Sequence, residues 1–535
     1  MTKDKENAII RKKILSMILP ITIENLLQMM AGFVSMAMIG RISTIAIGSL
    51  GLSNRITQIV WALFKGIATG ASVFVAQAYG AENREKMRKV TMQTIISSLI
   101  LVIILQQLLF WKAEFFLKVF NPRTELLENA TIHLKTVSWG LPFLIITTLL
   151  FFYKTGVFLY SSYLYLRYKA VPSVSDDLLP TCTIIVPAYN EGKLVWDTLL
   201  SLAESDYPAE KLQLLAIDDG SKDDTWYWMQ EAKAKLGDRV TIFQQPKNQG
   251  KRQALYRGFK LGTGEIFVTV DSDSIVKKDT LRNLVSPFVV NKKCGAVAGN
   301  VQVLNNKKAI LPKMLNVSFV MSFEFQRSAE SQLGSVLCTP GALAAYRRDA
   351  VFNCLPEWIN QTFMGQPSDI GEDRAMTNMI LKQGYHVLFQ SNAMVYTDTP
   401  VRYKNLYKMF IRWERSNVRE NIMMSQFAFK NFRKGPKWGA RILLIMQWKK
   451  VLLSYPMMLL MLWTVFHYPL MFLSSTLVGI LIFSSIQAYF FASKNSDTKE
   501  AFWAYTYSIF YAFSLFWITP YAIATAGRRG WLTRG

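Results

Sequence analysis

Long apolar runs open and close this chain, and a mixed block separates them. Runs from about Ile14 to Ile39, Ile45 to Tyr79, Val90 to Trp111 and Ile132 to Leu166 are each long enough to cross a bilayer as a helix, which takes roughly 20 residues. No such run falls between about Val171 and Gly439. Apolar stretches resume near Ile442 and are strongest over Val451 to Phe466, Pro469 to Phe491 and Ala501 to Ala526. The pattern predicts a transmembrane region over 1–168, a soluble-looking domain over 169–440 with interfacial helices at its end, and a second transmembrane region over 441–535. The first run is too long for a cleavable signal peptide and has no small-residue cleavage pattern at its end.

Inside the middle block the period changes. Cys182 to Val186 is a short β-rich apolar run that ends at Pro187-Ala188-Tyr189-Asn190-Glu191, and a helical pattern follows from Leu194 to Ala203. A second run, Leu212 to Ile217, ends in Asp218-Asp219-Gly220-Ser221, and Asp223-Asp224 open another helix. A third, Ile266 to Val270, leads into Asp271-Ser272-Asp273. Strand, polar turn and helix in repetition predict an α/β nucleotide-binding domain inserted between helical membrane segments. In open α/β sheets ligands bind beyond the carboxyl ends of the strands, so Tyr189, Asn190, Glu191, Asp218 and Asp219 should converge on one crevice, with Asp271 and Asp273 at the same edge.

Composition and charge narrow the setting. Hydrophobic residues make up 51% of the 535, with 14 Trp and 34 Phe, more than a soluble protein of this size needs. Lys and Arg number 61 against 37 Asp and Glu, a net charge of +24. In a membrane protein this excess reads as cytoplasmic loops and contacts with lipid headgroups rather than nucleic-acid binding. Arg11-Lys12-Lys13 precede the first run and Arg84, Lys86, Arg88 and Lys89 follow the second, so both should be cytoplasmic, and four spans return the chain there. That count treats Ile132 to Leu166 as one long helix. Three further spans in the tail would put Arg528-Arg529 on the outside, against the same rule. The four cysteines have no Cys-x-x-Cys spacing and there are only three histidines. The residue types suggest neither a zinc site nor a disulfide framework, so any metal should be a hard cation on carboxylates.

The chemistry lies in three ordered acidic clusters: Asp218-Asp219-Gly220, Asp271-Ser272-Asp273 and Gly371-Glu372-Asp373-Arg374. Alone, Asp-Asp-Gly is most often a turn with helix-capping carboxylates. Asp-Ser-Asp after a buried strand is stronger, because two carboxylates one residue apart can reach a divalent ion and the phosphate beside it. Gly250-Lys251-Arg252 at a helix start is either a solvated helix end or a place for a diphosphate. Transfer of a sugar from a nucleotide diphosphate needs carboxylates for the metal and another to deprotonate the acceptor hydroxyl, and this set offers both.

From about Leu179 to Gln426 the chain resembles the family 2 processive glycosyltransferases of GT-A fold, the group of hyaluronan, chitin, cellulose and poly-N-acetylglucosamine synthases. Within it, hyaluronan and chitin-oligosaccharide synthases look nearest. The residues that carry the resemblance are Gly250-Lys251-Arg252, Arg327-Ser328-Ala329-Glu330-Ser331, Tyr346-Arg347-Arg348, Gly371-Glu372-Asp373-Arg374, Thr377-Asn378, Gly384-Tyr385, Thr399-Pro400, Arg412-Trp413-Glu414-Arg415-Ser416 and Arg419-Glu420. The resemblance implies that Tyr189, Glu191 and Asp219, with Asp218 beside them, bind the uridine, Lys251 the nucleotide or its phosphates, and Asp271 with Asp273 the diphosphate and a Mg²⁺ or Mn²⁺. Asp373 would be the general base of an inverting β-transfer, Arg412 would steady the pyrophosphate, and Trp413 would stack on the acceptor. The family motif is Gln-x-x-Arg-Trp, and Met409 stands at the Gln position here. The implied protein is a multi-pass enzyme of the plasma membrane, its catalytic domain cytoplasmic. Its partners would be a UDP-sugar donor, a growing polysaccharide acceptor and the lipid bilayer, with no nucleic acid. Transfer to a lipid-linked sugar without processivity is the alternative. The mixed segment from Asn417 to Arg441 is expected to lie as an amphipathic helix on the cytoplasmic leaflet and guide the polymer to the tail spans.

The front, roughly residues 14 to 146, resembles the first third of a multidrug and toxic compound extrusion transporter. Pro20, Glu24-Asn25-Leu26-Leu27, Met38-Ile39-Gly40-Arg41, Gly66, Gly70, Val75-Ala76-Gln77-Ala78-Tyr79-Gly80-Ala81 and Trp139-Gly140-Leu141-Pro142-Phe143 carry it. Such transporters rock two six-span lobes around a central cavity. A third of one is expected to serve as a membrane anchor or an oligomerisation surface, with a homo-oligomer as one assembly.

Overall fold

The computed structural model describes residues 43–495, 498–528 and 530, with Thr22 and Met29 before them. The rest of the first apolar run, including Pro20, Glu24 to Leu27 and Met38 to Arg41, lies outside the described residues, as do the side chains of residues 139–143. The described chain forms two compact units, residues 1–157 and 158–535.

The first unit is helical. Helix α1 (Thr44–Gly80) is capped by Ser43, whose Oγ accepts from the Ala46 N–H at 3.0 Å. Asn83 caps α2 (Arg84–Trp111) through Lys86 N–H at 2.9 Å. A short α3 (Ala113–Lys118) precedes α4 (Thr124–Arg167), a single 44-residue helix within which the unit boundary falls. Ile56, Val60, Val102, Leu109, Leu117 and Leu134 form its core. Both α1 and most of α2, from Glu85, are long and apolar enough to cross a membrane.

The second unit begins with the strand and helix pairs that the apolar pattern predicts. These are β1 (Cys182–Ala188), α5 (Leu194–Ala203), β2 (Leu212–Asp218), α6 (Thr225–Leu236), β3 (Val240–Gln244), α7 (Lys251–Leu261) and β4 (Ile266–Thr269). There follow β5 (Ser274–Val276), α8 (Thr280–Val290), β6 (Cys294–Val303) and α9 (Ile310–Phe319), which passes through a π-helical turn at Val320–Gln326 into α10 (Arg327–Gln332). The domain ends with β7 (Ala344–Arg347), α11 (Arg348–Ile359), a small β8 (Thr362–Phe363) and β9 (Gln366–Pro367) hairpin, α12 (Glu372–Lys382), β10 (His386–Thr397) and α13 (Tyr403–Ala428).

Eight of these strands make one mixed sheet in the order β3-β2-β1-β4-β7-β6-β10-β5. β1 is buried along its whole length, which is why it reads as a continuous apolar run rather than an alternating one. Helices cover both faces: α5, α6 and α8 pack through Leu199, Leu202, Met229 and Leu284 on one, and α7, α11 and α12 through Leu255, Phe259, Trp358 and Ile380 on the other. The parallel register aligns Ala188, Asp218 and Gln244. Thr269 pairs with Ile185, so β4 stops short of that edge and releases Asp271 toward it. The carboxyl ends of four strands thus open on one crevice.

In the tail, α14 (Trp438–His467) and most of α15 (Pro469–Lys494) are long and apolar enough to span. Their outer ends touch the catalytic domain: Gly439 packs on Leu333, Arg441 Nε donates to the Ala428 carbonyl at 3.0 Å, and Lys494 pairs with Glu324 at 2.9 Å. The third apolar stretch is not one straight helix. It breaks into a 3₁₀ turn with α16 (Trp503–Ser514) and then α17 (Ile518–Ala524), bent by 45°. This pair starts and finishes on the domain. Glu500 accepts from Asn316 at 3.3 Å, and beyond α17 the Arg415 Nε donates to Thr525 Oγ1 at 3.0 Å and Arg419 to the carbonyls of Ala526 (2.7 Å) and Arg528 (2.8 Å). Both ends of the pair are therefore held by the sheet domain.

Asn417 to Arg441 is not one helix: α13 ends at Ala428 and its polar residues Arg419, Glu420 and Asn421 are buried in the domain, while Lys430 and Lys434 beyond it are exposed. Buried charges need partners, and here the tail carbonyls and the neighbouring helices supply them.

Candidate active site

The first two strand ends are laced together by their turns. Ser221 Oγ accepts from Asn190 N–H at 3.0 Å, Asn190 Oδ1 accepts from Lys222 N–H at 2.9 Å, and Thr225 Oγ1 accepts from Glu191 and Gly192 N–H at 2.8 Å each. These bonds place Tyr189 and Glu191 at the lip of the crevice. Asp218, expected to touch the nucleotide, is fully buried. One oxygen takes the Ser221 N–H at 3.1 Å and the other Gln244 Nε2 at 3.0 Å. It braces the turn from inside, in place of a direct contact. Gly220 closes that turn at φ +70°, where an added Cβ would lie 2.6 Å from the Lys247 carbonyl carbon.

Asp219 faces the other way. Its oxygens accept from Gln249 N–H (2.9 Å), Gln245 Nε2 (2.8 Å) and Gly250 N–H (2.8 Å). It thereby anchors the start of α7, a carboxylate at a helix N-terminus. Burial pushes its pKa up, and the Gln249 and Gly250 N–H groups oppose that. The two cations at that helix start part company. Arg252 turns into the core, donating to the Trp358 carbonyl at 2.7 Å and to Gln361 Oε1 at 3.0 Å. Lys251 points into the crevice, in a short ion pair with Asp271 Oδ1 and 3.4 Å from Glu372 Oε1. Burial works against its charge, but Asp271, Glu372 and Asp373 outweigh it and hold the ammonium protonated.

Asp373 sits in the first turn of α12. Its Oδ1 accepts from the Arg374 N–H at 2.7 Å and the Cys338 thiol donates to Oδ2 at 3.7 Å. Burial first, and then Glu372, raise its pKa; Lys251 and the Arg374 N–H pull it down. A carboxylate so poised is a better proton acceptor than a solvated one. Gly371, in the left-handed region at φ +75°, lets α12 approach α13: an added Cβ would lie 1.9 Å from Ser416 Oγ. Arg412 and Trp413 are one helical turn before Ser416, on the helix that this close approach holds to α12. A buried network fixes the arrangement: Arg374 donates to Asn421 Oδ1 at 2.7 Å, and Glu420 accepts from Asn378 and Gln361 at 2.8 Å each.

Trp413 is 37% exposed and stands edge-on to Phe410 at 5.6 Å, with Phe319 at 6.5 Å and Phe323 beyond it. Met409 is buried in the apolar core, so the Gln position of the motif offers no polar group here. Behind the base, a cavity of about 10 Å³ among Lys251, Glu372, Asp373 and Tyr346 has room for little more than one water. A donor must therefore enter from the open side of the crevice.

Asp271 and Asp273 follow β4, and Asp273 Oδ1 accepts from Thr397 Oγ1 at 3.3 Å. Among the described residues no group of three or more His, Cys, Asp or Glu gathers as a complete metal cage. Two carboxylates fit a hard cation that takes its remaining ligands from phosphate and water, the usual habit of Mg²⁺. Glu372, Cys338 and the half-buried Arg327, stacked on Phe323 at 4.2 Å, lie around the base without having been assigned a role from sequence. Glu372 and Arg327 stood inside motifs already picked out, but which face they turn inward needs the helices to be placed.

The mixed α/β sheet, with carboxylates and a lysine gathered beyond its strand ends, has the fold of a nucleotide-sugar-binding domain of GT-A type. Residues 180–416 match the family described as glycosyltransferase like family 2, and residues 20–157 match MatE. An N-acetylglucosaminyltransferase of Rhizobium meliloti (strain 1021) is 32% identical over 255 residues, 48% of this chain and 59% of the relative. A hyaluronan synthase of Streptococcus pyogenes is 30% identical over 252 residues, 46% of this chain and 59% of the relative. The chain thus spans well under two thirds of the length of these relatives. Among solved structures, a mannosyltransferase from Pyrobaculum calidifontis in complex with GDP-Man and Mn²⁺ aligns with 94% of its length to 66% of this chain, at 20% identity and a TM-score of 0.47.

Proposed function

We propose that this protein is a membrane-embedded, metal-dependent, inverting β-glycosyltransferase that polymerises UDP-sugars into an extracellular polysaccharide of the hyaluronan, chitin or poly-N-acetylglucosamine type and passes it out through its own helices. The observation that carries the reading is the placement of Asp373 beside Lys251 and Glu372, with Asp271 on the same lysine and Trp413 one turn from the Gly371–Ser416 contact.

In this reading Tyr189 and Glu191 hold the uridine, while Asp218 and Asp219 shape the turns that present them and Lys251. Asp271 and Asp273 would hold Mg²⁺ or Mn²⁺, which supplies charge neutralisation on the departing diphosphate. Asp373 takes the proton from the acceptor hydroxyl as that oxygen attacks the anomeric carbon, and Arg412 steadies the pyrophosphate. Trp413, with Phe410 and Phe319, gives the acceptor sugar an apolar face. The catalytic domain would face the cytoplasm from the plasma membrane, where UDP-sugars are made. The loss of the motif's Gln to a buried Met409 favours one second reading, single transfers to a lipid-linked sugar. Purified full-length protein, a panel of UDP-sugars and sizing of the product decide between them. Polymer from UDP-N-acetylglucosamine, alone or with a second UDP-sugar, is expected; a single added residue on a lipid acceptor supports the second reading, and release of no UDP from any donor rejects both.

A further inference from the structure

We propose that Lys251 and a divalent cation compete for the Asp271 carboxylate, and that Glu372 is the positioning residue that receives the Lys251 ammonium when the cation takes Asp271. The inference rests on the metal placement proposed above and adds to it an exchange of partners.

The contact at Asp271 Oδ1 is with the ammonium, and that carboxylate is one of the two a metal would use. Two cations cannot share one oxygen without strong repulsion, which falls only with distance. The lysine backbone has little freedom to retreat. Lys251 opens α7 directly after Gly250, whose N–H is held by Asp219 at 2.8 Å. Its ammonium is also roofed, since a Cβ on Gly341 would lie 2.6 Å from Nζ and 3.4 Å from both Asp271 oxygens. Movement is left to the side chain, and toward Glu372. That carboxylate is already 3.4 Å from Nζ and its side chain is only 7% exposed. A buried carboxylate is costly without a cation beside it, so Glu372 offers Lys251 a second partner within side-chain reach. The exchange conserves charge in the crevice: the ammonium passes from one carboxylate to the other, and the metal with its diphosphate fills the first.

The test is Mn²⁺ binding to nucleotide-free, full-length protein, followed by the electron paramagnetic resonance of free Mn²⁺. Lys251→Met removes the competitor and should tighten binding by about tenfold or more; Lys251→Gln is the reserve variant if the first does not fold. Glu372→Gln should weaken binding in the wild-type background and do nothing in the Lys251→Met background, because it acts through the lysine. Equal Mn²⁺ affinity in wild type and Lys251→Met, or an unchanged Glu372→Gln effect in both backgrounds, overturns the exchange. Mn²⁺ affinity measured with UDP that is indifferent to Asp271→Asn overturns the metal placement itself.

Discussion

Gly371→Ala tests whether the α12 and α13 contact sets the catalytic geometry. The added Cβ would lie 1.9 Å from Ser416 Oγ and 2.7 Å from Ser416 Cβ. A rotamer change can move the hydroxyl but not the Cβ, which stays about 0.8 Å inside the ~3.5 Å at which carbons sit comfortably. Overpacking of this kind costs about 1–3 kcal/mol, and a φ of +75° adds roughly 1–2 kcal/mol for any residue with a Cβ. The variant should therefore unfold some 2–5 kcal/mol more easily. Parting the helices by near 1 Å moves Arg412 and Trp413 off the base, and a misplacement of that size can cost ~10²-fold in turnover. UDP binding should weaken far less than turnover, since Lys251 and Asp271 are not on the moved pair and only Arg412, proposed on the pyrophosphate, is. Initial rates of UDP release, UDP titration and thermal unfolding of the full-length protein read all three. Ser416→Gly on top of it leaves Ser416 Cα as the nearest atom, at 3.5 Å, so turnover should recover while the φ cost and about 1 kcal/mol for a helix glycine remain. A Gly371→Ala protein with wild-type turnover and unfolding would show that the contact does not set the geometry.

Three further outcomes are expected. Asp373→Asn should lower transfer by ~10²- to 10⁴-fold with UDP affinity little changed, whereas Asp271→Asn should weaken metal-dependent UDP binding as well; near wild-type elongation by Asp373→Asn would falsify its role as base. EDTA should abolish UDP release and Mn²⁺ or Mg²⁺ restore it, and full turnover by protein verified free of divalent metal speaks against the carboxylate assignment. Because burial and Glu372 raise the Asp373 pKa and only the ionised form accepts a proton, kcat should climb with pH through that raised value and then level; Glu372→Gln should move the limb to lower pH, and an acid limb that does not move removes Glu372 from the cause.

The strands that carry the crevice were legible because they are buried on both faces and end in polar turns, as β1 and β2 do at Tyr189 and Asp218. What each carboxylate of the first cluster holds was not. Asp218 and Asp219 are neighbours of one type and both are buried, and only the folded chain shows the first on Ser221 and Gln244 and the second on the start of α7. The Asp271 and Lys251 partnership joins residues 20 apart through sheet closure, which no spacing rule contains. Apolar length showed less at the tail. Ala501 to Ala526 has the composition of a span, but neither the bend at 515–517 nor the hydrogen bonds from Arg415 and Arg419 to its end can be read from hydropathy. The positive residues of α13 read as a headgroup-facing set for the same reason: sequence counts charges but does not show the carbonyls waiting for them.

The return of the tail pair to the sheet domain ties the two together. Stability of the catalytic core and retention of the tail are then one property. Arg415 and Arg419, set one turn apart on the helix that also bears Arg412 and Trp413, are sealed by carbonyl and hydroxyl oxygens more than a hundred residues downstream, so losing those oxygens would strand two guanidinium groups beside the acceptor wall.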